Sequence, residues 1–355
     1  MADLIARGTR AGTLRQIRHV TPVAPRSARG LVAEVYHQVE RDFGMLAPPV
    51  SLHSPAPRAL AAAWVMLRET LLAADTTGRA EREAVAAAVS AANACPYCVD
   101  VHGAALAGLT RDEMPALSAW ARSSATADPL PAPFGDRAAA ELIGVAVAFH
   151  YLNRMVTIFL PESPLPPFLR GAAAPTAKRV ASRLLGSLAR RTVTPGLSAG
   201  LLPAAPLPAD LSWAAGSPAV AAAFGAAVRA VDQTFLPPGV RRMARAKAVE
   251  LGGGDPGWAT SDWLAAAVAP LPEVDRPAGR LVLLTMFAPY RVTPKVIAEF
   301  RDGRPSDAAL IEVTAWAALL AARHLGARLH AASARSATST STPIPIPMTT
   351  ERTSP

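Results

Sequence analysis

The sequence predicts an all-α chain, on three observations. Apolar residues make up 51% of the chain, while aromatics make up only 5%. Alanine dominates that apolar set, and it is the best helix former and a poor strand former. Apolar positions recur at helical spacing through most of the interior, and the breaks between periodic stretches are rich in Pro and Gly, as helix ends should be. At 355 residues the chain exceeds one typical domain and can bury ample core, so two domains or two repeats are expected. Neither a metal nor a disulfide is needed to hold such a core together.

Taken in order, residues 1–25 lack apolar periodicity and are expected to be disordered. Arg7, Arg10, Arg15 and Arg18 have no continuous apolar stretch behind them, so a secretory signal is not expected. A first unit, 26–160, carries helical spacing over 29–43, 58–73, 79–92, 96–107 and 137–159. The segments 161–167 and 194–208 hold many of the 34 prolines, which resist helix and strand alike. They mark a connection, 161–210, around one helical stretch at 176–191. A second unit, 211–331, has helical spacing at 217–231, 240–250, 261–268, 276–287, 294–300 and 307–329. The Ser/Thr/Pro-rich end, 332–355, cannot offset the entropy of folding and is expected to be disordered.

The two units read as a tandem duplication. Cys95-Pro96-Tyr97-Cys98-Val99 corresponds to Ala288-Pro289-Tyr290-Arg291-Val292, and His150 and Arg154 correspond to His324 and Arg328. Upstream, Ser54-Pro55 before 59–64 matches Ser217-Pro218 before 219–224, so three landmarks keep one order. The second copy lacks both cysteines and has Lys295 where the first has His102. Thiol chemistry therefore belongs to the first unit alone.

The formal charge of +9 and a pI of about 10.4 would suit an anionic partner if the basic residues were gathered. They are instead scattered among small apolar residues without interleaved aromatics, so no nucleic-acid partner is expected. The most apolar runs, 138–151 and 214–228, fall short of the roughly 20 residues that cross a bilayer, and no membrane span is expected. The chain has two cysteines, three apart. That is too close to staple a fold and fits a reducing, cytoplasmic compartment.

The most informative stretch runs from Glu83 to His102. Asn93 can close one helix, and Pro96 suits the first position of the next, which puts Cys95 at the N-cap and Cys98 in the first turn. Unpaired backbone N–H groups and the positive end of the helix dipole favour a thiolate there. His102 lies one helical turn beyond Cys98, where its imidazole can take the thiol proton, and Glu83 can orient that imidazole or relay its proton. The two cysteines are close enough for the short-loop disulfide of redox enzymes.

Zinc held by Cys95, Cys98, His102 and Glu83 is the chemical rival, and a fold whose cysteines are idle is the other alternative. The His offset excludes c-type haem attachment. Gly252-Gly253-Gly254-Asp255 lacks the Lys of a phosphate loop and reads as a helix-ending turn.

With Glu83, Cys95, Cys98 and His102 in this spacing, the chain resembles the carboxymuconolactone decarboxylase / AhpD-like alkylhydroperoxidase family. The specific resemblance covers about 79–109, a looser one reaches about 159, and the second half resembles the family only through the decayed repeat. It implies an AhpD-like helical bundle that oligomerises with its own copies, a peroxidatic Cys98, a resolving Cys95 and a proton relay through Glu83 and His102. It also implies a hydroperoxide or disulfide substrate, a lipoyl- or thioredoxin-like dithiol reductant, and no metal, flavin or haem cofactor. Tyr97 between the cysteines departs from members with His there.

Of the remaining candidates, His150 and Arg154 share one face of an apolar helix, where they either line the pocket beside Cys98 or, the preferred reading, form a buried, hydrogen-bonded structural pair. Asp100 reads as a solvated charge, and Trp64, Trp120, Trp213 and Trp316 as core fillers. His37, His53 and His330 have no partner at a useful spacing.

Overall fold

The computed structural model describes residues 14–73, 75–164, 174–252, 261–303 and 306–339, and no strand occurs among them. Prolines open helices as well as separate them: Pro57, Pro96, Pro115, Pro218, Pro238 and Pro294 each stand first in a helix, where a missing N–H costs nothing. The composition that suggested breaks is also what phases the helices.

In the first unit these are α1 (Gly30–Phe43), α2 (Pro57–Leu67), α3 (Arg79–Ala92), α4 (Pro96–Leu109), α5 (Pro115–Ser123) and α6 (Asp136–Phe159). A π-helical turn, Arg68–Leu72, extends α2. The helix α7 (Ala174–Ala189) lies in the proline-rich connection. The second unit contains α8 (Pro218–Asp232), α9 (Pro238–Glu250), α10 (Ser261–Val268), α11 (Arg276–Phe287), α12 (Pro294–Gly303) and α13 (Asp307–Ser339). The spacing missed α5, a short helix that begins on Pro115 and buries Trp120 and Ala121.

The packing follows the duplication. Helix α2 lies against α8 and α6 against α13, pairing the equivalent helices of the two units, while α3 packs on α6 as α11 packs on α13. Likewise α4 packs on α3 as α12 packs on α11. Gly326 of α13 lets that helix close on α6, since a Cβ there would stand 2.3 Å from the Val147 side chain. Where the first unit runs Cys95 straight into α4, Ala288 leads only into a short 3-10 turn, Pro289–Arg291, before α12.

Helix α6 is the hub. Its 24 residues make it long and apolar enough to cross a membrane, contrary to the sequence expectation, but 94% of its apolar window is buried inside the protein. That places it as an interior helix. The segment Asp307–Arg335 passes the same length test and is 67% buried.

Buried carboxylates clip loops to this frame. Glu141 of α6 accepts from the backbone N–H groups of Asp75, Thr76 and Thr77 at 2.8, 2.9 and 2.8 Å, which seats the turn that starts α3. Glu69 accepts from Gly196 N–H and the Ser198 hydroxyl at 2.8 and 2.6 Å, tying the connection to the first unit.

Two terminal expectations need correction. Residues 14–25 are packed rather than disordered: Val20 is buried and Leu14, Ile17 and Val23 lie against the core. Arg18 N–H donates to the Phe159 carbonyl at 2.8 Å and Val23 N–H to the Ser54 hydroxyl at 2.8 Å. An extended strap held by main-chain bonds leaves no helical periodicity to read. The last helix also continues past 331 to Ser339, and its Ser333 hydroxyl accepts from Ala132 N–H at 3.2 Å. Residues 1–13, 165–173 and 340–355 of the expected flexible segments lie outside the described residues.

Candidate active site

The turn that carries the cysteines is built from backbone geometry. Ala94 N–H donates to the Ala91 carbonyl at 3.1 Å and Cys95 N–H to the Ser90 carbonyl at 3.0 Å. This is the paired bonding of a Schellman cap, which needs a left-handed residue at its corner. That residue is Ala94, with φ of 48°, at a cost of about 1 kcal/mol relative to a position filled by glycine. Asn93 ends α3, Cys95 is the N-cap of α4 and Pro96 its first residue, as the sequence indicated.

One turn further along α4, His102 meets Glu83 of α3. The His102 Nδ1 lies 2.7 Å from Glu83 Oε2, while Arg79 donates to Glu83 Oε1 from Nε and a terminal nitrogen at 2.9 and 2.7 Å. The spacing did not single out Arg79, although its position one turn before Glu83 is the expected place for an ion-pair partner. Burial pushes the Glu83 carboxyl up, and the charges and hydrogen bonds of His102 and Arg79 outweigh it, leaving the group below its ordinary range. Phe149 packs edge-on to the His102 ring, centroids 4.5 Å apart, which fixes the imidazole. The predicted residues thus meet as two pairs along α4, Glu83 with His102 and Cys95 with Cys98.

Both cysteines are free thiols and both are buried, at 1% and 3% exposure. The helix terminus does not favour a thiolate equally at both. The Cys98 thiol, its backbone, Thr157 and Asn153 turn hydrogen-bond donors towards Cys95 and outweigh its burial, so Cys95 is held below the ordinary thiol range. Burial pushes Cys98 well up, and the contact with Cys95 adds to this. Two sulfurs in contact do not readily hold two charges, because the second ionisation occurs beside the first.

Asn153 escaped the sequence reading. With His150 and Thr157 it lies at i, i+3 and i+7 on α6, a polar stripe on a largely apolar helix and a signal that could have revealed it. His150 is fully buried, as expected for a structural histidine, and bonds to Asn93 and Ser124. Arg154 donates to the carbonyls of Met286 and His150 at 2.9 and 2.8 Å, linking α6 to α11. Their counterparts behave differently: His324 is half-buried, and Arg328 donates to the carbonyls of Thr126, Ala127 and Gly252.

His53, to which no role was assigned, is a core residue, with Nδ1 bonded to the Val50 carbonyl at 3.1 Å and Nε2 to the Tyr151 hydroxyl at 2.8 Å. Trp64, Trp120, Trp213 and Trp316 are buried. Among the described residues no group of three or more His, Cys, Asp or Glu is arranged to hold a metal ion, and both Glu83 oxygens already have partners.

The comparisons with known proteins cover the same region. The model of the carboxymuconolactone decarboxylase family matches residues 58–130, a span that contains Glu83, both cysteines and His102. A protein of Mycobacterium tuberculosis (strain ATCC 25618 / H37Rv) named alkyl hydroperoxide reductase Rv2159c is 38% identical over 341 residues, which are 90% of this chain and 97% of that one. No solved structure matches. The likeness runs through both units, cysteine-bearing and cysteine-free alike, and the chain belongs to the carboxymuconolactone decarboxylase family.

Proposed function

We propose that the protein is a thiol-dependent alkyl hydroperoxide reductase, whose dithiol can also reduce a substrate disulfide by thiol–disulfide exchange. The observation that carries this reading is the Cys95–Cys98 pair at the start of α4 with the Arg79–Glu83–His102 chain one turn away. The name of the relative supports it.

The reaction starts from the reduced pair with Cys95 as the thiolate and Cys98 as the thiol. Cys98, on the face of α4 shared with His102, attacks the outer peroxide oxygen as its proton passes to Cys95. The O–O bond breaks, Cys98 becomes a sulfenic acid, and the alkoxide leaves as an alcohol with a proton from His102. Glu83 holds Nδ1, which leaves Nε2 as the nitrogen that exchanges that proton. Cys95 then attacks the Cys98 sulfur, water departs with the Cys95 proton, and a disulfide remains. A lipoyl- or thioredoxin-like dithiol reduces it by exchange. The protein works in the cytoplasm as a homo-oligomer.

The test is thiol counting and mass spectrometry. One equivalent of an organic hydroperoxide is expected to convert both thiols to a Cys95–Cys98 disulfide, with recovery by dihydrolipoamide. Thiols that survive the peroxide, or stoichiometric zinc in the purified protein, would overturn the reading.

A further inference from the structure

The cysteine-free unit holds a cavity of about 300 Å³, a volume in the range of small-ligand sites. Its floor is one stripe of α13, where Trp316, Leu320, Arg323 and Ala327 recur on a single helix face. From Trp316 to Ala327 the helix rises about 16 Å, so the floor is elongated. The walls are Val228 and Val231 of α8 and Ala248 and Val249 of α9. This opening is a departure from the first unit. There the equivalent histidine, His150, is fully buried, and its Nε2 meets the hydroxyl of Ser124, just beyond α5, at 2.8 Å. The second unit passes from α12 to α13 across 304–306 alone, so no counterpart of α5 lies over His324, which is half-buried and lines the cavity.

The charges around the cavity are unequally committed. Asp210 accepts from Arg323 through both oxygens, at 2.9 and 2.6 Å. Asp232 Oδ1 accepts from Arg241 at 2.6 Å and from the Trp316 indole N–H at 3.0 Å, and Arg241 also lies over the Trp316 ring, 5.1 Å from its centroid. Arg245 of α9 is held far more loosely: it stands 4.0 Å from that same Asp232 oxygen, with its side chain 61% exposed. A solvated pair at such a distance contributes little, so Arg245 keeps its capacity to bind another anion. His324 adds no charge near neutral pH, because burial and the charge of Arg328 hold it below its ordinary value, with Asp210 opposing them only in part. The lining therefore selects by exclusion. A cationic head group would find both carboxylates already neutralised and Arg245 against it, and a second anionic group would find both remaining arginines paired.

We propose that this groove binds an aliphatic monocarboxylate, with the chain laid along the α13 stripe and the carboxylate on the Arg245 guanidinium, whose fork can take both oxygens. Covering the apolar floor and Val249, which is 73% exposed, supplies the affinity, and the ion pair sets the direction of the chain. The groove shares no residue with the dithiol or with the Glu83–His102 pair, so the site stands whether or not the protein reduces peroxides.

The test is calorimetric titration of the full-length protein with decanoate, kept below the concentration at which it forms micelles. One equivalent is expected to bind saturably, acetate, which lacks the chain, should not bind measurably, and decylamine should not compete. Arg245→Gln should weaken decanoate roughly tenfold and leave the binding of decanol unchanged, while Arg245→Lys should recover part of the loss. Val249→Trp, which lays a ring across the groove, should weaken decanoate and decanol alike. Both side chains are exposed, so neither replacement disturbs the core, and circular dichroism checks that the variants are folded. No saturable decanoate binding, competition by decylamine, or an affinity that Arg245→Gln or Val249→Trp leaves unchanged would overturn the proposal. Uptake of several equivalents that both replacements leave intact is adsorption to the surface and overturns it as well. A protein that binds decanoate as stated but leaves hydroperoxide untouched overturns the peroxidase reading and leaves this one standing.

Discussion

At the scale of single residues, Glu83 combines chemistry with stability. Its carboxylate is buried, and its charge is offset by His102 and Arg79. Replacing it by Gln leaves Arg79 without its counter-charge, which costs about 3 kcal/mol, and removes the partner of the proton carrier. Glu83→Gln is therefore expected to slow disulfide formation by peroxide roughly a hundredfold and to lower the midpoint of chemical denaturation. His53 sets a different pH response. Burial, partly opposed by its backbone carbonyl contacts, lowers its pKa to about 4 from an ordinary 6.5, so the unfolded chain binds the extra proton first. Its contribution is complete above pH 6.5 and is lost as pH falls to about 4, a change of about 3 kcal/mol. Glu83, with a depressed value, loses its contribution only lower, below the ordinary carboxyl range. Denaturation curves across pH 7 to 4 should show the slope, and His53→Gln should reduce it, the remainder coming from the buried His150, which is held neutral in the same way. The contacts of Glu83 with His102 and of Cys95 with Cys98 were legible because a short turn folds α4 back on α3 and one helical turn holds both cysteines. Asn93, Asn153 and Ser124 were not, since they come from three elements and meet only once α6 has packed.

At the scale of elements, the contact that most constrains the site is that of α4 with α7. The two backbones touch: a Cβ on Gly108 would stand 2.1 Å from the Ser182 carbonyl oxygen, and one on Gly186 2.6 Å from Gly108. Helix α7 thereby walls the outer side of Glu83 and His102, with Leu185, Leu188 and Ala189 facing them across a small cavity. Gly186→Val forces α7 outward at an overpacking cost of about 1–3 kcal/mol, so opening of that helix becomes roughly tenfold to a hundredfold more frequent. Limited proteolysis within 174–189 should speed up accordingly, while cleavage in α8 stays unchanged. Helix existence was legible almost throughout, because Ala-rich periodicity bounded by proline is a local signal. The strap at 14–25 was not, because its order comes from bonds to Ser54, Phe159 and Asp307, each remote in sequence. The extension of α13 was hidden by serines that a helix tolerates once one of them docks on a neighbour.

At the scale of the whole molecule, the two units share one interior. Helices α2 and α8, and α6 and α13, bury their apolar faces on each other, so neither unit has a core of its own. Thermal unfolding is expected to be one transition by both circular dichroism and calorimetry, and a chain ending at 210 should fail to fold; two resolved transitions would contradict this. The duplication itself was readable from three short landmarks, whereas the mutual burial was not, because a helical period shows that a face is covered but not by which partner. The sulfurs inherit a consequence from that shared interior. At 1% and 3% exposure they meet the solvent only when the protein breathes, so oxidants are sorted by girth before any bond is made. Hydrogen peroxide should outrun a bulky aryl hydroperoxide at low temperature by more than their reactivity with a small free thiol allows, and warming should narrow the gap. For large substrates, turnover would keep the tempo of the protein's own loosening.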